Sequence, residues 1–177
     1  MRLFVAFRVP SAPLLALQEK LIFEGVKLTH DYHCTLKFLG EVSDEKVHDI
    51  LKRLRKISFS PFHAHFSDVC VFPNLSNPRV VWAGLKPEKD ILALQQQIDD
   101  TLKDLFPREE RFVPHVTLAR MKYLKNRDSF TRIIGQTKVE QKEFAVNELI
   151  LFKSELKETG PVHTVIDTFS SNDLENI

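Results

Sequence analysis

Residues 111–120 read "RFVPHVTLAR", a stretch with the apolar content of a core strand that nevertheless sets His115 and Thr117 two positions apart. Side chains alternate between faces along a strand, so the pleat gives this segment an apolar back, Val116 and Leu118, and a front bearing an imidazole beside a hydroxyl. Polar groups are costly to bury unless they are satisfied, so core packing alone does not select this pattern. The pattern occurs twice. "HCTLKFLG" at residues 33–40 repeats it, with His33 and Thr35 in front and Cys34, Leu36 and Phe38 behind.

The two copies lie nearly half the chain apart, and their surroundings repeat as well. "LFVAF" (3–7) reads as a strand, and Ser11 and Pro13 then open a helix carrying Leu14, Leu15, Leu17, Leu21 and Ile22. After the first His-x-Thr strand and a turn at Gly40, Ser43 opens a helix striped by Val47, Ile50, Leu51 and Leu54. "FSPFHAHFSDVCVF" (59–72) alternates like one or two strands, "NLSNP" (74–78) is turn chemistry, and "RVVWAGL" (79–85) is a strand. A third helix from Pro87–Glu88 presents Ile91, Leu94, Ile98, Leu102 and Leu105 and stops before Pro107. The second His-x-Thr strand follows, then a basic stretch (121–127), a short helix near 128–135, and strands at 143–152 and 163–170. The repeat is too long for a solenoid. It predicts an α+β fold of two pseudo-twofold lobes. No Gly-, Ser- or Pro-rich linker separates them, so residues 1–177 are expected to form one folding unit of interleaved lobes.

Composition narrows the function. The 177 residues are 43% hydrophobic and 28% charged with a formal net charge of +1, which excludes a polycation that coats nucleic acid but allows a local cleft for a few phosphates. Cys34 and Cys70 make neither a disulfide framework nor a CxxC pair, in keeping with a reducing cytoplasm. Arg8 and Pro10 interrupt the N-terminal apolar run too early for a signal peptide, and no stretch approaches the roughly 20 apolar residues of a membrane span. A cytoplasmic protein with no membrane partner is expected.

If the two strands face each other across a cleft, two imidazoles and two hydroxyls converge. Imidazole has an unperturbed pKa of about 6.5, so near neutrality one histidine can serve as base while its twin is the acid. A threonine hydroxyl can donate to a nonbridging phosphoryl oxygen and hold phosphorus between them. This is phosphate-ester chemistry that calls for no metal and no cofactor.

The doubled His-x-Thr motif resembles the 2H phosphoesterase superfamily. With "HCTLKFLGEVSDE", "VFPN", "RVVWAGL", "FVPHVTLAR" and "FKSELKETGPVHTV", nearly the whole chain is similar to its RNA 2′,3′-cyclic phosphodiesterase branch, historically called 2′-5′ RNA ligase. The resemblance implies two antiparallel sheets flanking a central cleft, with helices outside. It implies hydrolysis of RNA 3′ ends bearing a 2′,3′-cyclic phosphate, tRNA-like fragments among them, to 2′-phosphomonoesters. With an RNA 5′-hydroxyl in place of water, the same opening would make a 2′-5′ linkage. His33 with Thr35 and His115 with Thr117 are the implied catalytic pairs, His33 as proton donor and His115 as acceptor, and Arg120 is the implied phosphate ligand. A monomer is expected. The alternatives are a phosphodiesterase for a small cyclic phosphate or a 2′-5′ oligonucleotide, and a non-catalytic RNA-end-binding module.

The pleat adds conditions of its own. Counting from Thr117, it puts Ala119 rather than Arg120 on the catalytic face, so Arg120 must curl round the strand end to reach phosphate. Counting from His33, it puts Lys37 on that face, which makes Lys37 a second cation candidate. Trp82 and Phe72 are candidates to stack on a base. Lys122, Lys125 and Arg127 could track a backbone, while Tyr123 is a weaker stacking candidate. His63 and His65 form an H-x-H without the carboxylates or cysteines that a metal site needs, and are read, like His163, as exposed strand residues.

Overall fold

Three strand segments read as continuous from the sequence are broken or bulged in three dimensions, and those irregularities shape the molecule. The computed structural model describes residues 1–158 and 160–171. In chain order the elements are β1 (Arg2–Arg8), α1 (Ala12–Gln18), β2 (Val26–Leu28), β3 (His33–Glu41), α2 (Asp44–Leu54), β4 (Phe62–Phe72), β5 (Val80–Lys86) and α3 (Glu88–Leu102). They continue with β6 (His115–Met121), α4 (Arg127–Gln136), β7 (Phe144–Val146), β8 (Glu148–Lys157) and β9 (Gly160–Ser170). The segment 143–152 is two strands: β7 ends at Val146 and pairs with β4, whereas β8 starts at Glu148 and pairs with β1. The chain thus passes from one lobe to the other at Asn147.

All the strand pairings are antiparallel, in the order β7-β4-β5-β6-β3-β1-β8-β9, with β2 also beside β6. One arm is β3-β1-β8-β9 and the other β7-β4-β5-β6. Among the described residues the arms are paired at a single position, Cys34 with Val116. The fold is the predicted mixed one, with a curled antiparallel sheet built from two arms.

The continuous apolar run of β1 is explained by its central place in its arm. Leu3, Val5 and Phe7 join the main core, while Phe4 and Ala6 on the opposite face form a second cluster with Ile150 and Phe152. The helices are exchanged between arms. α1 follows β1 yet packs on β6, whereas α3 follows β5 and packs on both β3 and β5. α1 is shorter than its apolar pattern suggests: Leu14 and Leu17 are buried, but Leu15 is half exposed and Ile22 lies beyond the helix in solvent.

Both His-x-Thr strands carry a β-bulge at the same place. On β1, Val5 faces Lys37 but Ala6 faces Thr35, so Leu36 is the extra residue; on β5, Val81 faces Ala119 but Trp82 faces Thr117, so Leu118 is. A bulge resets the alternation beyond it. Leu36 and Lys37 are therefore both buried and Phe38 turns outward, just as Leu118 and Ala119 are both buried and Arg120 turns outward. This overturns the expectation that Lys37 meets substrate. Its ammonium lies behind the sheet, paired with Asp99 of α3 and donating to the Pro107 carbonyl at 2.7 Å.

Candidate active site

At the seam, the side chains of Cys34 and Val116 point into the core. The antiparallel register then places His33 across from Thr117, and Thr35 across from His115, on the opposite face. Beyond its bulge, each strand extends that face by one more residue, Arg120 on β6 and the exposed Phe38 on β3. Arg120 needs no detour round a strand end, because the bulge turns it to the face of His115 and Thr117. Its charge is near enough to weigh against protonation of His115.

The two histidines have different backing. His115 Nδ1 is 2.7 Å from the Val113 carbonyl. A carbonyl only accepts, so Nδ1 carries the hydrogen and Nε2 keeps its lone pair. Burial holds the His115 pKa below the ordinary 6.5, with the Val113 carbonyl opposing that effect and the charges of Arg120 and His33 adding to it. Phe72 and Trp82 stack at 4.6 Å and both meet the His115 ring edge-on, at 5.4 and 5.7 Å.

His33 sits against Phe4 and Phe152, with ring centroids 5.0 and 5.8 Å away. Among the described residues its buried Nδ1 has no hydrogen-bond partner, and it lies 3.7 Å from Oδ1 of Asp31. The other oxygen of Asp31 accepts a 2.6 Å hydrogen bond from Nδ1 of His163 on β9. His163 is therefore not the bland strand residue expected from the sequence. The hydrogen bond from His163, first, and the nearby His33 imidazole hold the Asp31 carboxyl well below the usual carboxylate range despite its burial. Arg8 approaches the same carboxylate at 3.9 Å. Asp31, His33 and His163, with donor atoms within 4.8 Å of one another, are also the described cluster that could meet on a metal ion.

Comparison with known proteins bears on this arrangement. A profile of the 2′-5′ RNA ligase superfamily matches residues 23–158. This chain belongs to that superfamily. The member in hand is similar over most of its length to proteins named RNA 2′,3′-cyclic phosphodiesterase: it is 34% identical to that of Methanocaldococcus jannaschii, covering 94% of this chain and 98% of that protein. It is 35% identical to that of Archaeoglobus fulgidus, over 96% and 99%. The structure of TT0787 from Thermus thermophilus superposes with a TM-score of 0.80 at 33% identity, covering 96% of this chain and 97% of that one. E. coli LigT complexed with 3′-AMP shares the fold, with a TM-score of 0.73 at 22% identity and 96% of both chains covered.

For this superfamily member, the sequence reading missed Asp31, Arg8 and Phe38 beside the motif residues. A signal for Asp31 was present. It precedes His33 by two residues, where the second copy has Val113 before His115, so the repeat breaks at a residue beside the site. Phe38 was hidden by the bulge. Of the basic residues Lys122, Lys125 and Arg127, which follow β6 and lead into α4, Lys125 pairs with Glu24, and Tyr123 donates to the same carboxylate.

Proposed function

We propose that this chain hydrolyses RNA 2′,3′-cyclic phosphate ends, the activity that its relatives' names point to, and that it does so without a metal ion to give 2′-phosphomonoesters. The observation that carries the reading is the single Cys34–Val116 pairing, which sets two imidazoles and two threonine hydroxyls on one face. Water attacks phosphorus opposite the ribose 3′-oxygen. His115 Nε2 takes the water's proton as the new P–O bond forms, the P–O3′ bond breaks, and His33 gives O3′ the proton that it needs. Thr35, Thr117 and Arg120 hold the nonbridging oxygens, whose charge grows as the pentacovalent state forms. Phe38 and the half-exposed Phe72 and Trp82 offer faces for a base. With an RNA 5′-hydroxyl in place of water, the same course makes a 2′-5′ linkage.

All these groups come from one chain, so the site needs no second copy, and the reading takes a monomer. Two unpaired cysteines suit a reducing cytoplasm, and no helix among the described residues is long and apolar enough to cross a membrane. RNA 3′ ends, including tRNA-like fragments, are the partners in this reading.

The test offers an oligonucleotide ending in 2′,3′-cyclic phosphate, with EDTA present, and identifies the product by phosphorus NMR. A 2′-phosphomonoester is expected, and replacing either His33 or His115 with alanine should cut turnover by roughly 10²–10⁴-fold, the usual worth of a positioned acid or base. No turnover by the wild-type protein, or activity only with added metal, would sink the reading.

A further inference from the structure

We propose that Asp31, held in place by His163, is the counter-ion and positioning residue of His33. The inference rests on the phosphodiesterase reading above, in which His33 is the acid, and names the residues that support it in that role. In the pseudo-twofold, Asp31 and Val113 stand at equivalent places, two residues before their histidines. Val113 offers its histidine a neutral carbonyl, which orients the ring and leaves Nε2 a lone-pair base. Asp31 offers its histidine a carboxylate. Only that partner gains attraction when the imidazole becomes positive, so the repeat is functionally polarised by its one ionised backing group.

The geometry shows how the carboxylate is kept aimed. Oδ2 is occupied by His163 Nδ1 at 2.6 Å, and Oδ1 is left 3.7 Å from the otherwise unpartnered His33 Nδ1. Phe4 packs against both rings, with centroids 5.0 Å from His33 and 4.9 Å from His163, so one aromatic side chain backs both imidazoles. Among the described residues, the charged and titratable groups near this cluster include Arg8 of β1, 3.9 Å from Asp31, His30, which lines the same surface pocket as Asp31, and His115 across the seam. Arg8 alone does not replace the carboxylate, since a guanidinium repels an imidazolium. Neither Asp31 nor His163 contacts the scissile bond in this scheme; both act through His33.

Asp31→Asn keeps the shape and removes the charge. The alkaline limb of kcat/KM, which reports loss of the acid, is expected at lower pH, with kcat/KM at pH 8 down by roughly tenfold, the scale of one lost charge partner. The acid limb, set by His115, should stay. His163→Phe keeps the ring packing and the Asp31 charge but frees the carboxylate, so kcat is expected to fall while the alkaline limb moves less than in Asp31→Asn. NMR titration of the His33 imidazole in wild type and Asp31→Asn gives the same displacement without requiring turnover. An Asp31→Asn profile that superimposes on wild type, with wild type active and His33→Ala inactive, overturns this proposal and leaves the phosphodiesterase reading standing. An inactive wild type overturns the phosphodiesterase reading instead. Wild-type activity lost in EDTA and restored by zinc overturns the counter-ion role, because a resident metal would then occupy the three side chains.

Discussion

His115 shows how much one side chain's surroundings decide. Its sequence context is nearly that of His33, yet burial depresses its pKa from 6.5 and a backbone carbonyl fixes the hydrogen on Nδ1. A base must be deprotonated to work. With a depressed pKa, that form persists to lower pH, so the acid limb of kcat/KM is expected below pH 6.5; a limb at or above that value would rule out His115 as the base. Lys37 makes the complementary point. It was legible as a cation beside the motif, but its ammonium is buried against Asp99 and the Pro107 carbonyl. Burial pushes the Asp99 carboxyl up, while Lys37, the Glu109 amide and Gln95 together bring it below the usual range. Its role is to tie α3 and the 107–109 loop behind β3, not to hold phosphate.

The bulges on β3 and β6 are the elements on which the site depends. Each admits one extra leucine and so turns the next-but-one residue, Phe38 or Arg120, to the catalytic face. A bulge leaves backbone groups off the ladder, and these need partners when buried. On β6 the carbonyl of the extra residue, Leu118, accepts from Gln18 Nε2 at 2.7 Å and from the Thr29 amide at 2.9 Å. Gln18 also donates to the Thr29 carbonyl at 2.5 Å and accepts from the Tyr32 hydroxyl. Gln18→Leu strips Thr29 and Tyr32 of buried partners and should lower stability by roughly 1–3 kcal/mol per orphaned group in urea denaturation. Turnover should fall with it, as the bulge that aims Arg120 loosens. Full turnover at reduced stability would mean that β5 and β2 hold the bulge alone.

Across the whole molecule, the seam is narrow and the helices are traded over it. One paired position among the described residues joins the arms, while α1 and α3 each pack on the other copy's catalytic strand. Opening the seam therefore means stripping both helices from the core, and the two lobes are expected to unfold in one transition. Cys34 is a natural reporter. It lies at the seam, fully buried, and burial pushes its thiol pKa up to about 12, so it should resist alkylation at pH 8 in the native state. Its labelling rate should track global unfolding. Labelling much faster than unfolding would show the arms parting at the seam.

The amino-acid sequence by itself determined most of the element order, though not β2 or the break at Asn147, together with the twofold repeat, the two His-x-Thr pairs and the chemistry that they suit. Those features are local, set by hydrophobic period, turn residues and side-chain type, and they can be read along the chain. The tertiary structure decided which way the residues beyond each threonine face, because a bulge depends on register with β1 and β5 and on partners arriving from elsewhere, Gln18 for Leu118 and Asp99 for Lys37. It also decided that two like histidines differ. His163 comes from the far end of the chain to hold Asp31, and a contact spanning 132 residues leaves no trace in local pattern.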